Sequence, residues 1–137
     1  MPKYKSHGER ELKVLDLSDD FCRDTFKILK DEKIFPKSSR WLGVYEIANL
    51  LNDMHTKLLK ANNIKVTNAV EWDIRHSLQS EAYADIITIG EKFTFMSAVF
   101  EMKIDKLNKW LESKGKLQGY ISAWKLSDEK RYKEKIG

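Results

Sequence analysis

Cysteine is almost missing from this chain of 137 residues, proline occurs twice and glycine six times. Each scarcity excludes something. The single Cys22 has no partner in the chain for a disulfide, which predicts a reducing, cytoplasmic setting. Beyond Pro36 no proline interrupts the chain, so helices are expected to dominate. Asn-Gly and Asp-Gly hairpin signals are missing too, and strict two-residue alternation is confined to Leu12–Leu17, a stretch that reads either as extended or as the start of a helix. No run approaches the roughly 18 apolar residues of a membrane span, and the N-terminal MPKYKSHGERE has no apolar signal-peptide core, so neither membrane insertion nor export is expected.

Catalytic patterns are equally scarce. His7, His55 and His76 are scattered, and Asp53-Met54-His55 has adjacent rather than same-face spacing, so no metal site is expected. There is no Gly-x-Ser-x-Gly elbow and no glycine-rich phosphate loop, hence no nucleophile motif and no nucleotide cofactor. Cys22 falls within an amphipathic pattern and reads as a small buried side chain. Paired carboxylates such as Asp19/Asp20 and Glu71/Asp73 suit helix N-termini, where the dipole favours anions, better than acid–base work. The chain reads as a non-enzyme.

What is present is helical periodicity. A length of 137 residues fits one domain, with about residues 1–11 and 128–137 expected to be mobile. A first helix is predicted after a Ser18 cap, through Phe21, Thr25, Ile28 and Leu29 to about Lys33, ended by Pro36. Ser38 or Ser39 is the predicted cap of a second helix over roughly 39–62, with Ile47, Leu50, Leu51, Met54, Leu58 and Ala61 on one face. The third is predicted over about 68–95, on Leu78, Ala82, Ile86, Ile89, Phe93 and Met96, with Gly90 marking a close helix contact. Ser97 is the predicted cap of the fourth, running to about Trp124 or Leu126 on Phe100, Ile104, Leu107, Leu111, Ile121 and Trp124. Gly115 and Gly119 suggest close approach of another backbone, Ser127-Asp128-Glu129 a cap for a short last turn, and the residues after it a solvated tail. Four amphipathic helices on short loops predict an all-α, antiparallel up-down four-helix bundle.

Charge is uneven along the chain. From Lys114 onward there are 7 basic residues against 3 acidic, which points either to an acidic partner such as nucleic acid or to a solvated helix end. Lys37, Arg40, Arg75, Lys125, Lys130, Arg131 and Lys133 are the candidate cations for that partner. Trp41, Trp72, Trp110, Trp124 and Tyr132 are candidate stacking or interface aromatics, since charge beside a ring suits single-stranded nucleic acid; tryptophans equally finish a core or a subunit interface.

Three segments together resemble a known group. Phe35-Pro36-Lys37-Ser38-Ser39-Arg40-Trp41-Leu42-Gly43 is similar to the turn before the second helix of the four-helix accessory variability determinants of diversity-generating retroelements, and of bundle proteins encoded in ribosomal-RNA intervening sequences. The third helix through Leu78-Gln79-Ser80-Glu81-Ala82 and the ending Gly115–Trp124, continued by Lys125–Tyr132, complete a resemblance over roughly residues 12–132. It implies a cyclic homo-oligomer, typically a pentamer, whose basic surface binds a reverse transcriptase and its template RNA or DNA. Lys37 and Arg40 match the cations of the turn; Trp124, Lys125 and Arg131 match the C-terminal motif. The two motifs are expected to meet at one end of the bundle. A protein–protein assembly module without a nucleic-acid role is the alternative.

Overall fold

The computed structural model describes residues 9–136, with side chains over 13–133; the first eight residues, including His7, lie outside the described part. Four α-helices, α1 (Glu9–Leu29), α2 (Val44–Asn63), α3 (Ala69–Val99) and α4 (Ile104–Ile136), form an antiparallel up-down bundle, with a short 3-10 helix, Lys37–Leu42, before α2. Each helix packs on its two neighbours in the order α1, α2, α3, α4, with α4 closing back on α1 and no close backbone approach across either diagonal among the described residues. Ser18 meets His55 and Cys22 meets Leu51, while Lys57 meets Asp85 and Lys92 meets Glu46, so partner numbers fall on one helix as they rise on the other.

The first helix begins well before Ser18. Val14, Leu15, Ser18, Phe21, Cys22, Thr25 and Leu29 are buried at three-to-four spacing, so a period of 3.6 extends through the stretch whose short alternation also allowed a strand. Ser18 is not a cap but part of the seam, its Oγ 2.8 Å from His55 Nδ1. At Leu29 the helix gives way to a turn in which Asp31 O accepts from the Ile34 and Phe35 amides at 3.0 and 2.8 Å. Phe35 is fully buried and meets the rings of Phe93 and Phe100 edge-on, at centroid distances of 6.4 and 5.1 Å.

Neither Ser38 nor Ser39 caps α2. Both lie in the 3-10 segment, and Gly43 stands at the cap position with no side-chain bond. Gly43 has φ 158°, a conformation that side-chain-bearing residues rarely adopt, and a Cβ there would sit 2.7 Å from Met96 Sδ, so the entry to α2 favours glycine. The start of α3 is where the sequence placed it. Asn68 Oδ1 accepts the Glu71 amide at 2.9 Å, and the Glu71 carboxylate answers by accepting the Thr67 amide and hydroxyl, which holds its pKa below the usual range.

The break between α3 and α4 falls later than Ser97, whose Oγ donates to Thr94 O from inside α3. There the Glu101 amide donates to Ala98 O and the Met102 amide to Ser97 O, a Schellman closure with Glu101 left-handed at φ 55°. Because that position usually holds Gly or Asn, it left no mark in the sequence.

The fourth helix then runs unbroken for 33 residues through Gly115, Gly119 and the Ser127-Asp128-Glu129 stretch. Leu107, Trp110, Leu117, Ile121, Trp124 and Asp128 form its buried seam, whereas Ile104, expected in the core, is exposed. Nothing lies within 4 Å of a Cβ built at Gly115 or Gly119, so neither marks a contact within the chain. At Gly90 the close neighbour is a side chain, Lys114 Cε at 2.7 Å from such a Cβ.

Two outcomes follow for stability. Glu101→Gly removes left-handed strain and is expected to stabilise the bundle by about 0.5–1 kcal/mol, read as a rise in the urea midpoint. Phe35→Ala, which empties the space between α1 and the α3–α4 turn, is expected to cost about 3–5 kcal/mol in the same titration.

Candidate binding surfaces

The two motifs expected to meet lie at opposite ends. In an up-down bundle α2 starts where α1 finishes, whereas α4 finishes where α1 starts. Arg131 is 27 residues along α4 from Ile104, about 40 Å at 1.5 Å per residue. Lys37 and Arg40 therefore belong to an upper end, Lys125, Lys130, Arg131 and Lys133 to a lower one.

At the upper end the cations are engaged locally. Arg40 Nη2 donates to Lys30 O at 2.8 Å and Nε to Phe35 O at 3.3 Å, so the guanidinium closes carbonyls left open after α1. Lys37 Nζ lies 3.1 Å from Glu32 Oε1, an exposed pair. Beside them Trp41 is 72% exposed, with Leu42, Tyr45, Phe95 and Val99 exposed as well.

The lower end is held by a polar core that residue patterning did not reveal. Arg75, a candidate contact for nucleic acid, is only 1% exposed. Its Nε donates to Asp128 Oδ2 at 2.7 Å, its Nη1 reaches Ala61 O and Ile64 O at 3.3 and 3.2 Å, and Gln79 Nε2 donates to the same Asp128 oxygen at 2.8 Å. The guanidinium stands 5.2 Å from the Trp124 ring and 5.8 Å from that of Tyr132, so it also packs on aromatic faces. This arginine joins the end of α2, the start of α3 and the end of α4, which makes it a structural residue and not a surface cation. Asp128, expected with Ser127 and Glu129 to cap a last turn, is instead fully buried, because it lies on the same helix face as Ile121 and Trp124. Asp128 Oδ1, Gln79 Oε1 and Trp124 Nε1 are buried without a hydrogen-bond partner among the described residues. Such atoms cost stability, so the network is less favourable than its pairing suggests.

Two of the candidate aromatics are likewise core. Trp110 is stacked on Phe93 at 3.8 Å with its Nε1 donating to Thr25 Oγ1 at 2.9 Å, and Trp124 is 1% exposed. The lower rim keeps Tyr132, whose ring lies 5.2 Å from Trp72, itself 4.9 Å from the His76 ring. His76 Nε2 is 2.9 Å from Glu129 Oε1. Lys125 Nζ lies 5.5 Å from the Tyr83 ring and Arg131 5.8 Å from that of Tyr132, while Lys130, Arg131 and Lys133 are exposed. Asp128 and Glu129, the acids among them, are turned to Arg75 and His76.

Cys22 is buried, with Sγ donating to Leu51 O at 3.7 Å, and desolvation pushes its pKa up to about 12. At neutral pH it is a thiol. Among the described residues no group of three or more His, Cys, Asp or Glu is placed to hold a metal ion, and no helix is long and apolar enough to cross a membrane.

Fold and surface together define an antiparallel four-helix bundle with an aromatic, basic rim at one end and an apolar, aromatic cluster at the other. Compared with protein-family models, curated proteins and solved structures, the chain matches none.

The ion pair is tested by a double-mutant cycle. Asp128→Leu alone or Arg75→Met alone leaves the partner charge buried and is expected to cost about 3–5 kcal/mol, whereas Arg75→Met with Asp128→Leu recovers most of that loss in urea denaturation. Cys22 is expected to resist an aromatic disulfide reagent at pH 8 in the native protein and to react fully in denaturant. Because its folded pKa is raised, the unfolded thiol ionises first, so Cys22 contributes a loss of stability as pH rises from about 9 towards 12.

Proposed function

We propose that this chain is a non-enzymatic accessory protein of the variability-determinant type, acting in the cytoplasm as a homo-oligomer, a pentamer in the group it resembles. In this reading it binds a reverse transcriptase and the template RNA or its DNA copy. The observation that carries the nucleic-acid part is the lower rim. There Asp128 pairs with Arg75 and Glu129 with His76, while Lys130, Arg131 and Lys133 stand exposed on the same turns as Tyr132, whose ring meets Trp72. Cations track phosphates and an accessible ring gives a base a stacking face, a combination suited to single strands.

A second reading, a protein–protein assembly module, is favoured by the upper end. The contact of Gly43 with Met96 brings the start of α2 against the end of α3, and Leu42 and Tyr45 on one side of that junction and Phe95 and Val99 on the other are exposed. Exposed apolar clusters of this kind mark surfaces that bind other proteins or other copies.

Titration of labelled single-stranded RNA at 50 and 200 mM salt tests the first reading. Binding through about three phosphates is expected to weaken about twenty-fold between those salts, and Lys130→Glu/Arg131→Glu/Lys133→Glu to abolish most of it with helicity intact. Salt-independent binding, or none at low salt, sinks the RNA role. For the second reading, light scattering at micromolar protein is expected to show an oligomer that Trp41→Glu/Phe95→Glu dissociates; a monomeric wild-type chain counts against assembly.

A further inference from the structure

The seam between α1 and α4 carries two adjoining clefts that no sequence motif announces. One, of about 340 Å³, is floored by the buried rings of Phe21 and Trp110 and by Ile28, with Lys27, Lys106 and Lys109 on its rim beside Asp24. The other, of about 350 Å³, shares Lys106 and continues over Ile34, Phe100 and Met102, flanked by Lys33 and Lys103 and by Asp31 and Glu101. Along the helical part of each wall the lining positions recur every three or four residues, Phe21, Asp24 and Ile28 of α1 on one side and Lys106, Trp110 and Ser113 of α4 on the other, and the turns that follow α1 and precede α4 continue the cleft through Asp31 and Lys103. The ten residues of helix from Ile104 to Ser113 span about 15 Å, close to three turns.

We propose that this seam is a docking groove for an acidic amphipathic helix of a partner protein. A trough with walls set by helical spacing receives apolar anchors at i, i+3, i+4 and i+7, and its rim selects the charge of the flanking positions. Lysines outnumber carboxylates on that rim, and Asp31 Oδ1 already accepts the Lys33 amide. A nucleic-acid strand fits less well. The Trp110 ring is stacked on Phe93 and its N–H is committed to Thr25, so the floor offers neither a free face nor a donor to a base. The groove lies on a different surface from the lower rim, and the proposal stands whether or not RNA binds there.

A fluorescein-labelled synthetic helix of about sixteen residues, with Leu at three-to-four spacing and Glu between, is the probe, and the same peptide with Lys for Glu is its control. Anisotropy titration of the full chain is expected to saturate with the acidic peptide and not with the basic one. Lys106→Glu/Lys109→Glu is expected to weaken binding at least ten-fold, and Lys106→Gln/Lys109→Gln by less, both with unchanged far-ultraviolet dichroism because these side chains are exposed. Lys130→Glu/Arg131→Glu/Lys133→Glu is expected to bind the acidic peptide like the parent chain, which separates this site from the RNA surface. The proposal is overturned by no saturation at millimolar protein, by equal binding of the basic peptide, or by parent-like binding of the Lys106/Lys109 variants. It is also overturned if Lys106→Glu/Lys109→Glu lowers RNA affinity as far as the α4 terminal variant does, which would assign the seam to nucleic acid.

Discussion

Arg75 and Asp128 are both withdrawn from water, and neither tolerates that environment without the other. Their 2.7 Å pairing sets which turn of α3 faces which turn of α4, and Arg75 Nη1 ties down the Ala61 and Ile64 carbonyls at the end of α2. Lateral packing of Leu, Ile and Met is compatible with several helix registers; a charged pair is compatible with few. The lower end is thus specified by electrostatics and the upper end by shape, through Phe35 wedged against Phe93 and Phe100.

That division shapes what each end offers a partner. Satisfying Arg75 and His76 consumes Asp128 and Glu129 and leaves the last turns of α4 with exposed basic groups. Above, Arg40 is spent on Lys30 and Phe35 carbonyls, and the exposed side chains there are mainly apolar. A polar demand inside the bundle therefore decides the character of its surface, and the motif-bearing cations split into structural and exposed ones.

Much of the bundle was legible beforehand. The faces of α2 and α3 and the start of α3 at about Asn68 follow from periodicity and side-chain chemistry, which are local. Misplaced boundaries have physical causes: Ser18 looks like a cap but pairs with His55, Ser97 looks like a cap but lies inside α3, and the real stop uses Glu101 in a conformation that usually advertises itself with glycine. The candidate surface was read less well. Arg75 is indistinguishable from a surface arginine until the Asp128 that neutralises it, 53 residues away, is brought alongside. Trp110 and Trp124 belonged to the core alternative, since each lies on the inward seam of α4.

By itself the sequence determined the all-helical class, the order of the helices and most of the apolar stripe on each, because helix formation and amphipathicity depend on neighbours three and four residues apart. Only tertiary structure decided which end each cation occupies, which polar residues are paired in the interior, and where lysines from α1 and α4 converge on one groove. Those relations join residues far apart in the chain. They depend on helix direction and rotation, which the packing of all four helices sets together.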